Sequence, residues 1–130
     1  MKRLRIAMVT AAVAAGCHPA NSGSTPTPAK VSVHEVLTTP SLVGKSVEVT
    51  GRCLGYSVPT VAKGSPPVSR SDWQLEDQGE AVWVNGPLPT GCTATTPAES
   101  AGTITARVAQ DTTAGLGGQP AMIRQYLVRH

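Results

Sequence analysis

Apolar and polar residues alternate with a period of two in several segments of the chain, and this alternation predicts five β-strands. The clearest segment covers residues 46–54, where Val47, Val49 and Cys53 alternate with charged and hydroxyl side chains. Gly51 lies on the apolar side of this segment and predicts a bulge or a sharp bend. The other four strands are predicted at residues 72–76, 80–85, 102–110 and 121–128.

The segments outside these strands are predicted to be turns and loops, apart from one short helix. Ser32 and Glu35 fit a capping box, which predicts the first turn of that helix. Residues 57–71 and 86–101 are rich in proline and in small or hydroxyl residues, and are predicted loops. The strand at 80–85 is apolar on both faces, which predicts that it is central or covered by flanking segments.

The first 16 residues have the pattern of an export signal. Lys2, Arg3 and Arg5 make a basic start, and an uncharged apolar run follows over residues 6–15. This run is shorter than the roughly 20 residues that a helix needs to cross a bilayer. A basic start, a short apolar run and small residues before a cleavage site together predict a secretory signal peptide.

The sequence Ala-Ala-Gly-Cys that ends at Cys17 resembles the lipobox of bacterial lipoproteins. The resemblance implies that residues 1–16 are removed and that acyl chains on Cys17 anchor the protein to a membrane of the cell envelope. His18 stands where an aspartate favours inner-membrane retention in enterobacterial lipoproteins, so the outer membrane is expected. The alternative is an ordinary signal peptide followed by a chance cysteine.

Composition and charge then limit what the exported chain can be. Residues 17–30 are dominated by proline, serine, threonine and alanine and are predicted to be a flexible tether, which leaves one domain at 31–130. Three of the 11 basic residues belong to the signal, so the mature chain balances its 8 acidic residues. A nucleic-acid partner is therefore not expected from charge. Phenylalanine is absent, so Val, Leu, Ile and Ala must form most of the core.

Lipidation of Cys17 leaves Cys53 and Cys92 as an even pair of cysteines. Exported proteins meet an oxidising environment, in which such a pair commonly forms a disulfide. The alternative is a redox or metal site. The chain has no Cys-x-x-Cys motif and few histidines, so a structural disulfide is favoured and no metal site is predicted.

The predicted order of elements resembles that of OB-fold domains in small bacterial envelope proteins and lipoproteins. The segments that carry the resemblance are 33–51, 73–77, 81–86 and 102–108. It implies an all-β fold, a five-stranded Greek-key barrel with a short N-terminal helix. A small β-sandwich is the alternative. OB-folds usually have a helix between their third and fourth strands, and here residues 97–100 have room for a single helical turn at most.

These features favour a non-catalytic binding or interaction module at the envelope, with a protein or a small ligand as partner. An OB-fold ligand face would include Tyr56, Arg70 and Trp73, although Trp73 and Trp83 are also expected to fill the core. The alternative is nucleic-acid or oligosaccharide binding through the barrel face.

An enzyme is not favoured, and no cofactor is predicted. Four carboxylates lie close together in the sequence around the predicted 76–80 turn, and solvated turn residues explain them better than paired catalytic groups or a cation site: Asp72, Glu76, Asp77 and Glu80. A Gly-x-Ser-x-Gly nucleophile motif is absent from the sequence.

Overall fold

A computed structural model describes residues 16, 27–56, 60–113, 117–118 and 120–130 of the chain. This part of the chain forms one α-helix, one 3₁₀ turn at Pro40–Leu42 and six strands. In chain order the helix and the strands are β1 Ala29–Val31, α1 Val33–Thr38, β2 Ser46–Gly55, β3 Trp73–Asp77, β4 Glu80–Asn85, β5 Gly102–Thr113 and β6 Met122–Val128.

Five of the strands close into a barrel. Their order is β2-β3-β4-β6-β5, and β5 pairs back onto β2. All neighbours are antiparallel except β4 and β6, which run parallel. The fold is therefore a small all-β, OB-fold-like barrel, as the sequence predicts, and not a sandwich of two sheets.

The short strand β1 was not predicted. Residues up to 30 were expected to be tether, but Ala29 and Lys30 pair in parallel with Val47 and Glu48 of β2. Three residues are too few to show a period of two, so the sequence pattern carries no signal for this strand. The strand extends the sheet beside β2 before the chain enters α1.

The strand β2 bends so that its two halves belong to different sides of the barrel. Residues 46–51 pair with β5, residues 52–55 pair with β3, and the register shifts between Cys53 and Gly55. The predicted irregularity is thus present, close to Gly51. A Cβ atom at Gly51 would lie 2.8 Å from the backbone oxygen of Glu76, so glycine allows β3 to approach β2 this closely.

The inward side chains of the barrel are mostly valine and leucine, with Trp73 as the largest. Helix α1 packs against β2, β3, β4 and β6 and buries Val33 and Val36 in this core. The predicted capping box begins the helix: Ser32 Oγ accepts a hydrogen bond from Glu35 N at 3.0 Å, and Glu35 Oε2 accepts one from Ser32 N at 2.9 Å. OB-folds usually have their helix between the third and fourth strands of the barrel. Here the helix that packs on the core precedes the barrel strands, and residues 86–101 contain no helix.

Cys53 and Cys92 form a disulfide, as predicted. It joins β2 to the irregular crossing over residues 86–101, across a sequence separation of 39 and a Cα–Cα distance of 6.1 Å. The crossing is also held by backbone hydrogen bonds, because Ala98 N donates to Cys53 O at 2.9 Å and Tyr56 N donates to Ala94 O at 3.1 Å. The crossing is thus a fixed part of the barrel in spite of its loop-like composition.

Candidate functional site

Part of the segment between β2 and β3 folds back over the outer face of the barrel. Gln74 and Trp83 point outward from β3 and β4, because their neighbours along each strand point into the core. Gln74 Oε1 accepts hydrogen bonds from Val61 N at 2.7 Å and Ala62 N at 2.8 Å. Trp83 Nε1 donates to Lys63 O at 3.3 Å. Residues 61–63, here called the covering segment, therefore lie directly on this face.

The covered face is the one through which OB-folds commonly bind oligonucleotides and oligosaccharides. Ala62 packs there against Ala81, Trp83 and Tyr126, and Trp83 is only 5% exposed. Single-strand binding needs aromatic rings that are open for stacking. The backbone of the covering segment forms hydrogen bonds with Gln74 and Trp83, and Ala62 packs against the apolar side chains of this face. A ligand could therefore reach Trp83 only after displacing the covering segment.

Asp72 holds the end of the same loop that precedes β3. Its carboxylate is fully buried and accepts hydrogen bonds from Val68 N at 2.7 Å, from Ser69 N at 3.0 Å and Oγ at 3.2 Å, and from Asn85 Nδ2 at 2.8 Å. A buried carboxylate with four donors is a structural acceptor. The other three carboxylates near the β3–β4 turn do not join it, and no group of three metal-ligating side chains occurs among the described residues.

The three residues predicted for a ligand face do not form a single surface of that kind. Trp73 has no exposed surface, and its ring lies inside the barrel with Nε1 donating to Gly86 O at 3.1 Å. It points inward because it is in phase with Leu75, so Trp73 has the core role that was also expected for it and is excluded from a ligand face. Tyr56 is 39% exposed at the end of β2, and Arg70 is exposed in the following loop.

A groove opens between β4 and β6 beside the covering segment. It has a volume of about 310 Å³, at the lower end of the range for ligand pockets. Of the six large hydrophobic side chains exposed in the described chain, three line this groove: Val61 at 47%, Met122 at 47% and Ile123 at 65% exposure. We call it the β4–β6 groove, and its other lining residues are Leu37, Thr38, Ala62, Lys63, Gly79, Glu80, Ala81, Trp83, Arg124 and Gln125.

The β4–β6 groove exists because the two strands pair over a short length only. Their ladder consists of Val84 with Leu127 and Asn85 with Val128. Before these residues the strands separate, and α1 contacts both of them. On the β6 side, Gln125 Nε2 donates to two carbonyls at the end of α1, Val36 O at 2.7 Å and Thr39 O at 2.9 Å.

On the β4 side, α1 is connected to the strand by an exposed contact between the side chains of His34 and Glu80. His34 Nδ1 lies 2.8 Å from a carboxylate oxygen of Glu80. Both side chains are largely exposed, so the pair contributes little to stability. Helix α1 is thus attached to both walls of the groove and spaces them apart.

The two basic residues at the rim of the groove, Arg124 and Lys63, differ in their ion pairing. Arg124 is largely buried, and its guanidinium binds Asp111 through Nε at 2.9 Å and Nη2 at 3.2 Å while Nη1 donates to Lys63 O at 2.9 Å. The exposed Lys63 side chain forms no ion pair with any residue that the structure describes. Lys63 is therefore the cation at this rim that can meet an acidic group.

Sequence reasoning did not identify this groove. Met122 and Ile123 have the pattern of ordinary residues of the final strand, and the covering segment lies within the predicted proline-rich loop at residues 57–71. The one usable signal was the strand 80–85, whose two apolar faces predicted a cover from flanking segments. The cover is present, and the groove lies at its edge.

A second cavity, of about 430 Å³, lies under the crossing over residues 86–101. Its wall combines glycines, hydroxyl side chains and the disulfide cysteine Cys53 with proline, alanine, Leu75 and Ile104. It contains none of the exposed large hydrophobic side chains. The β4–β6 groove is therefore the stronger candidate for binding.

Comparison with known proteins adds no relative, since no family model, curated protein or solved structure matches the chain. In the part of the chain that the structure describes, no helix is long and apolar enough to cross a membrane. The disulfide is typical of proteins that fold in an oxidising compartment outside the cytoplasm.

Proposed function

We propose that this protein is a lipid-anchored binding module of the bacterial cell envelope, and that it binds a protein partner through the β4–β6 groove without catalysing a reaction. Cys17 would carry the lipid, residues 17–28 would link it to the barrel, and the outer membrane is the proposed site of attachment. Cys17 itself lies outside the described residues.

The envelope location is supported by features in two separate parts of the chain, the N-terminus and the barrel. The N-terminal pattern is that of an export signal, the Ala-Ala-Gly-Cys sequence resembles a lipobox, and the disulfide requires oxidising conditions. Each of these features also occurs by itself in proteins that are not lipoproteins. A signal that ends at a cysteine and a domain that retains a disulfide are together expected of an exported lipoprotein.

The observation that carries the binding role is the concentration of exposed apolar side chains in one concave place. Isolated exposed hydrophobic residues are ordinary, but a contiguous exposed group marks an interaction site. Val61, Met122 and Ile123 come from two separate parts of the chain and meet around the same groove. Lys63 and Glu80 at its rim provide the polar border that protein interfaces commonly have.

Site-specific photo-crosslinking in the intact envelope tests this proposal. A photoreactive amino acid in place of Ile123 is expected to form a discrete protein adduct after irradiation. The matched control carries the same group in place of Val43, which is 37% exposed and lies outside the groove. Adducts at both positions, or at neither, would contradict a protein partner at the β4–β6 groove. A lipid or glycan adduct at position 123 alone would replace the partner by a small ligand.

A further inference from the structure

We infer that the barrel rests on an anionic lipid surface through a basic face that lies beside the point where its tether enters. The inference rests on the lipid anchor of the proposed function and goes beyond its binding role. The basic face consists of the side chains of Lys45, Arg107 and Arg129. Contact through this face fixes which side of the barrel is turned towards the membrane.

The three cations come from adjoining positions on neighbouring strands. Ser46 at the start of β2 pairs with Arg107 of β5, and Arg107 pairs on its other side with Val128 of β6. Lys45 directly precedes Ser46, and Arg129 directly follows Val128. Paired residues of neighbouring strands lie about 5 Å apart. The three basic side chains therefore start from one small area of the backbone.

The charges of the basic face are not neutralised within the described part of the chain. Neither of the two ion pairs found among the described residues includes Lys45, Arg107 or Arg129. Lys45 and Arg107 are exposed to solvent. Arg129 is half-buried, and its Nη1 donates to the carbonyl oxygen of Pro87 at 2.8 Å. A carbonyl oxygen carries no net charge, so the guanidinium keeps its full positive charge.

The nearby carboxylates occupy other positions of the barrel. Glu48, the carboxylate of β2, lies opposite Lys30 of β1, so its neighbour balances its charge. Glu76, Asp77 and Glu80 are gathered at the turn between β3 and β4. The equal numbers of acidic and basic residues in the predicted mature chain therefore conceal an uneven distribution, with a basic face on one set of strands and an acidic turn on another.

The tether enters the barrel beside the basic face. Strand β1 runs parallel to β2, and its first residue, Ala29, lies opposite Val47. The chain therefore enters the sheet next to the start of β2, where Lys45 lies. The 11 residues between Cys17 and Ala29 span at most about 40 Å when fully extended. A lipid on Cys17 thus keeps this side of the barrel close to the bilayer.

Proximity makes a face of only three cations effective. Each Lys or Arg close to an anionic membrane surface strengthens the attraction about fivefold, so three cations favour contact on the order of a hundredfold. That attraction is small beside the anchoring by two or more acyl chains. The lipid therefore holds the protein at the membrane, and the basic face selects the orientation of the barrel.

Fluorescence quenching in vesicles tests the orientation. The lipidated protein is reconstituted into phosphatidylcholine vesicles, with or without phosphatidylglycerol, that carry a quencher on their headgroups. A fluorescent amino acid replaces Ser46 in the basic face or, as the matched control, Val61 in the β4–β6 groove. Quenching at position 46 is expected to rise about threefold when phosphatidylglycerol is present, because the anionic lipid selects this face. Quenching at position 61 is expected not to rise.

A matched pair of double variants tests the charges. Lys45→Glu/Arg107→Glu is expected to abolish the rise at position 46. Lys63→Glu/Arg70→Glu makes the same change of net charge at two exposed residues outside the basic face and is expected to retain the rise. The rise is also expected to disappear in about 1 M salt, where the Debye length is about 3 Å. Circular dichroism of each variant confirms that the barrel is folded.

Three results would overturn the inference: equal quenching at position 46 in both kinds of vesicle, a rise that survives Lys45→Glu/Arg107→Glu, or a larger rise at position 61. The last result would show that the β4–β6 groove faces the lipid. Each of them leaves the lipid anchor of the proposed function in place, because the protein is still attached to the vesicles. Failure of the protein to attach to either kind of vesicle would reject the anchor itself.

Discussion

The buried carboxylate of Asp72 fixes one end of the loop between β2 and β3. It accepts four hydrogen bonds at distances from 2.7 to 3.2 Å, three of them from residues 68 and 69 of that loop. The fourth donor, Asn85, comes from the end of β4. The carboxylate thus joins the loop to the strand, and its removal would leave several donors without an acceptor.

Asp72→Ala is expected to lower the free energy of unfolding by about 3 kcal/mol, because buried donors that lose an acceptor cost roughly 1–3 kcal/mol. Urea unfolding followed by circular dichroism measures the change. The control is Glu99→Ala, at an exposed carboxylate, where a change within about 0.5 kcal/mol is expected. Equal effects of the two substitutions would show that Asp72 does not organise the loop.

The hydrogen bonding of the buried Gln74 side chain also depends on the loop between β2 and β3. Its Oε1 accepts two backbone donors from the covering segment, while its buried Nε2 has no hydrogen-bond partner among the residues that the structure describes. An unpaired buried donor is unfavourable. The glutamine is compatible with the fold because its oxygen satisfies two buried N–H groups that would otherwise be unpaired.

At the scale of elements, the bend of β2 depends on one glycine. Gly51 and Gly102 face each other across β2 and β5, so they form a matched pair for substitution. A Cβ atom on Gly51 would lie 2.8 Å from both Glu76 O and Leu75 Cγ, whereas one on Gly102 would meet nothing within 4 Å.

Gly51→Ala is expected to destabilise the fold by about 2 kcal/mol, as overpacking against a neighbouring backbone does. Gly102→Ala is expected to be neutral or to stabilise by up to about 1 kcal/mol, because alanine reduces the entropy of the unfolded chain. Denaturant unfolding of both variants gives the comparison. A Gly102→Ala variant as unstable as Gly51→Ala would exclude close approach of β3 as the cause.

The crossing over residues 86–101 is the element that depends on the disulfide. On the chain-entropy model, closing a loop with a sequence separation of 39 stabilises the fold by about 4 kcal/mol. The Cys53→Ala/Cys92→Ala double variant is expected to lose stability of this order, and reducing agent is expected to do the same to the natural chain. A natural chain insensitive to reductant, or one with two titratable thiols after denaturation, would contradict a formed disulfide.

The elements with a clear period were predictable from sequence, and those that depend on distant contacts were not. The alternation in β2, the capping box at Ser32 and the pairing of Cys53 with Cys92 are local or compositional signals, and all three are confirmed. Strand β1 depends on an edge of β2 that is formed elsewhere in the chain, so no local pattern marks it.

The candidate site depends even more strongly on tertiary structure. Burial of Trp73 follows from its phase with Leu75, and the sequence already allowed for a core role. The β4–β6 groove, however, is created by the two strands parting around α1, with Val61 supplied from a loop about 60 residues before Ile123. No pattern within either segment encodes that meeting, so the groove could be recognised only in the folded molecule.

For the molecule as a whole, the proposed export and lipid anchoring would decide which of its properties matter for function. The formal charge of +3 includes three basic residues of the predicted signal, and their removal would make the mature chain neutral. A neutral barrel has no general attraction for nucleic acid. It would be held at the envelope by its lipid, which keeps the β4–β6 groove at high local concentration near membrane partners.

Cys17→Ala is expected to abolish incorporation of labelled fatty acid and to release the protein from the membrane fraction, because two or more acyl chains are needed for stable anchoring and this cysteine would carry them. Metabolic labelling followed by fractionation measures both effects. The matched control is the Cys53→Ala/Cys92→Ala double variant, which removes thiols of the barrel and is expected to retain label and membrane attachment. Label that persists in Cys17→Ala, or label that is lost in the control instead, would overturn the lipoprotein assignment. Release of unlabelled but folded protein would show in addition that the barrel itself does not hold the chain at the membrane.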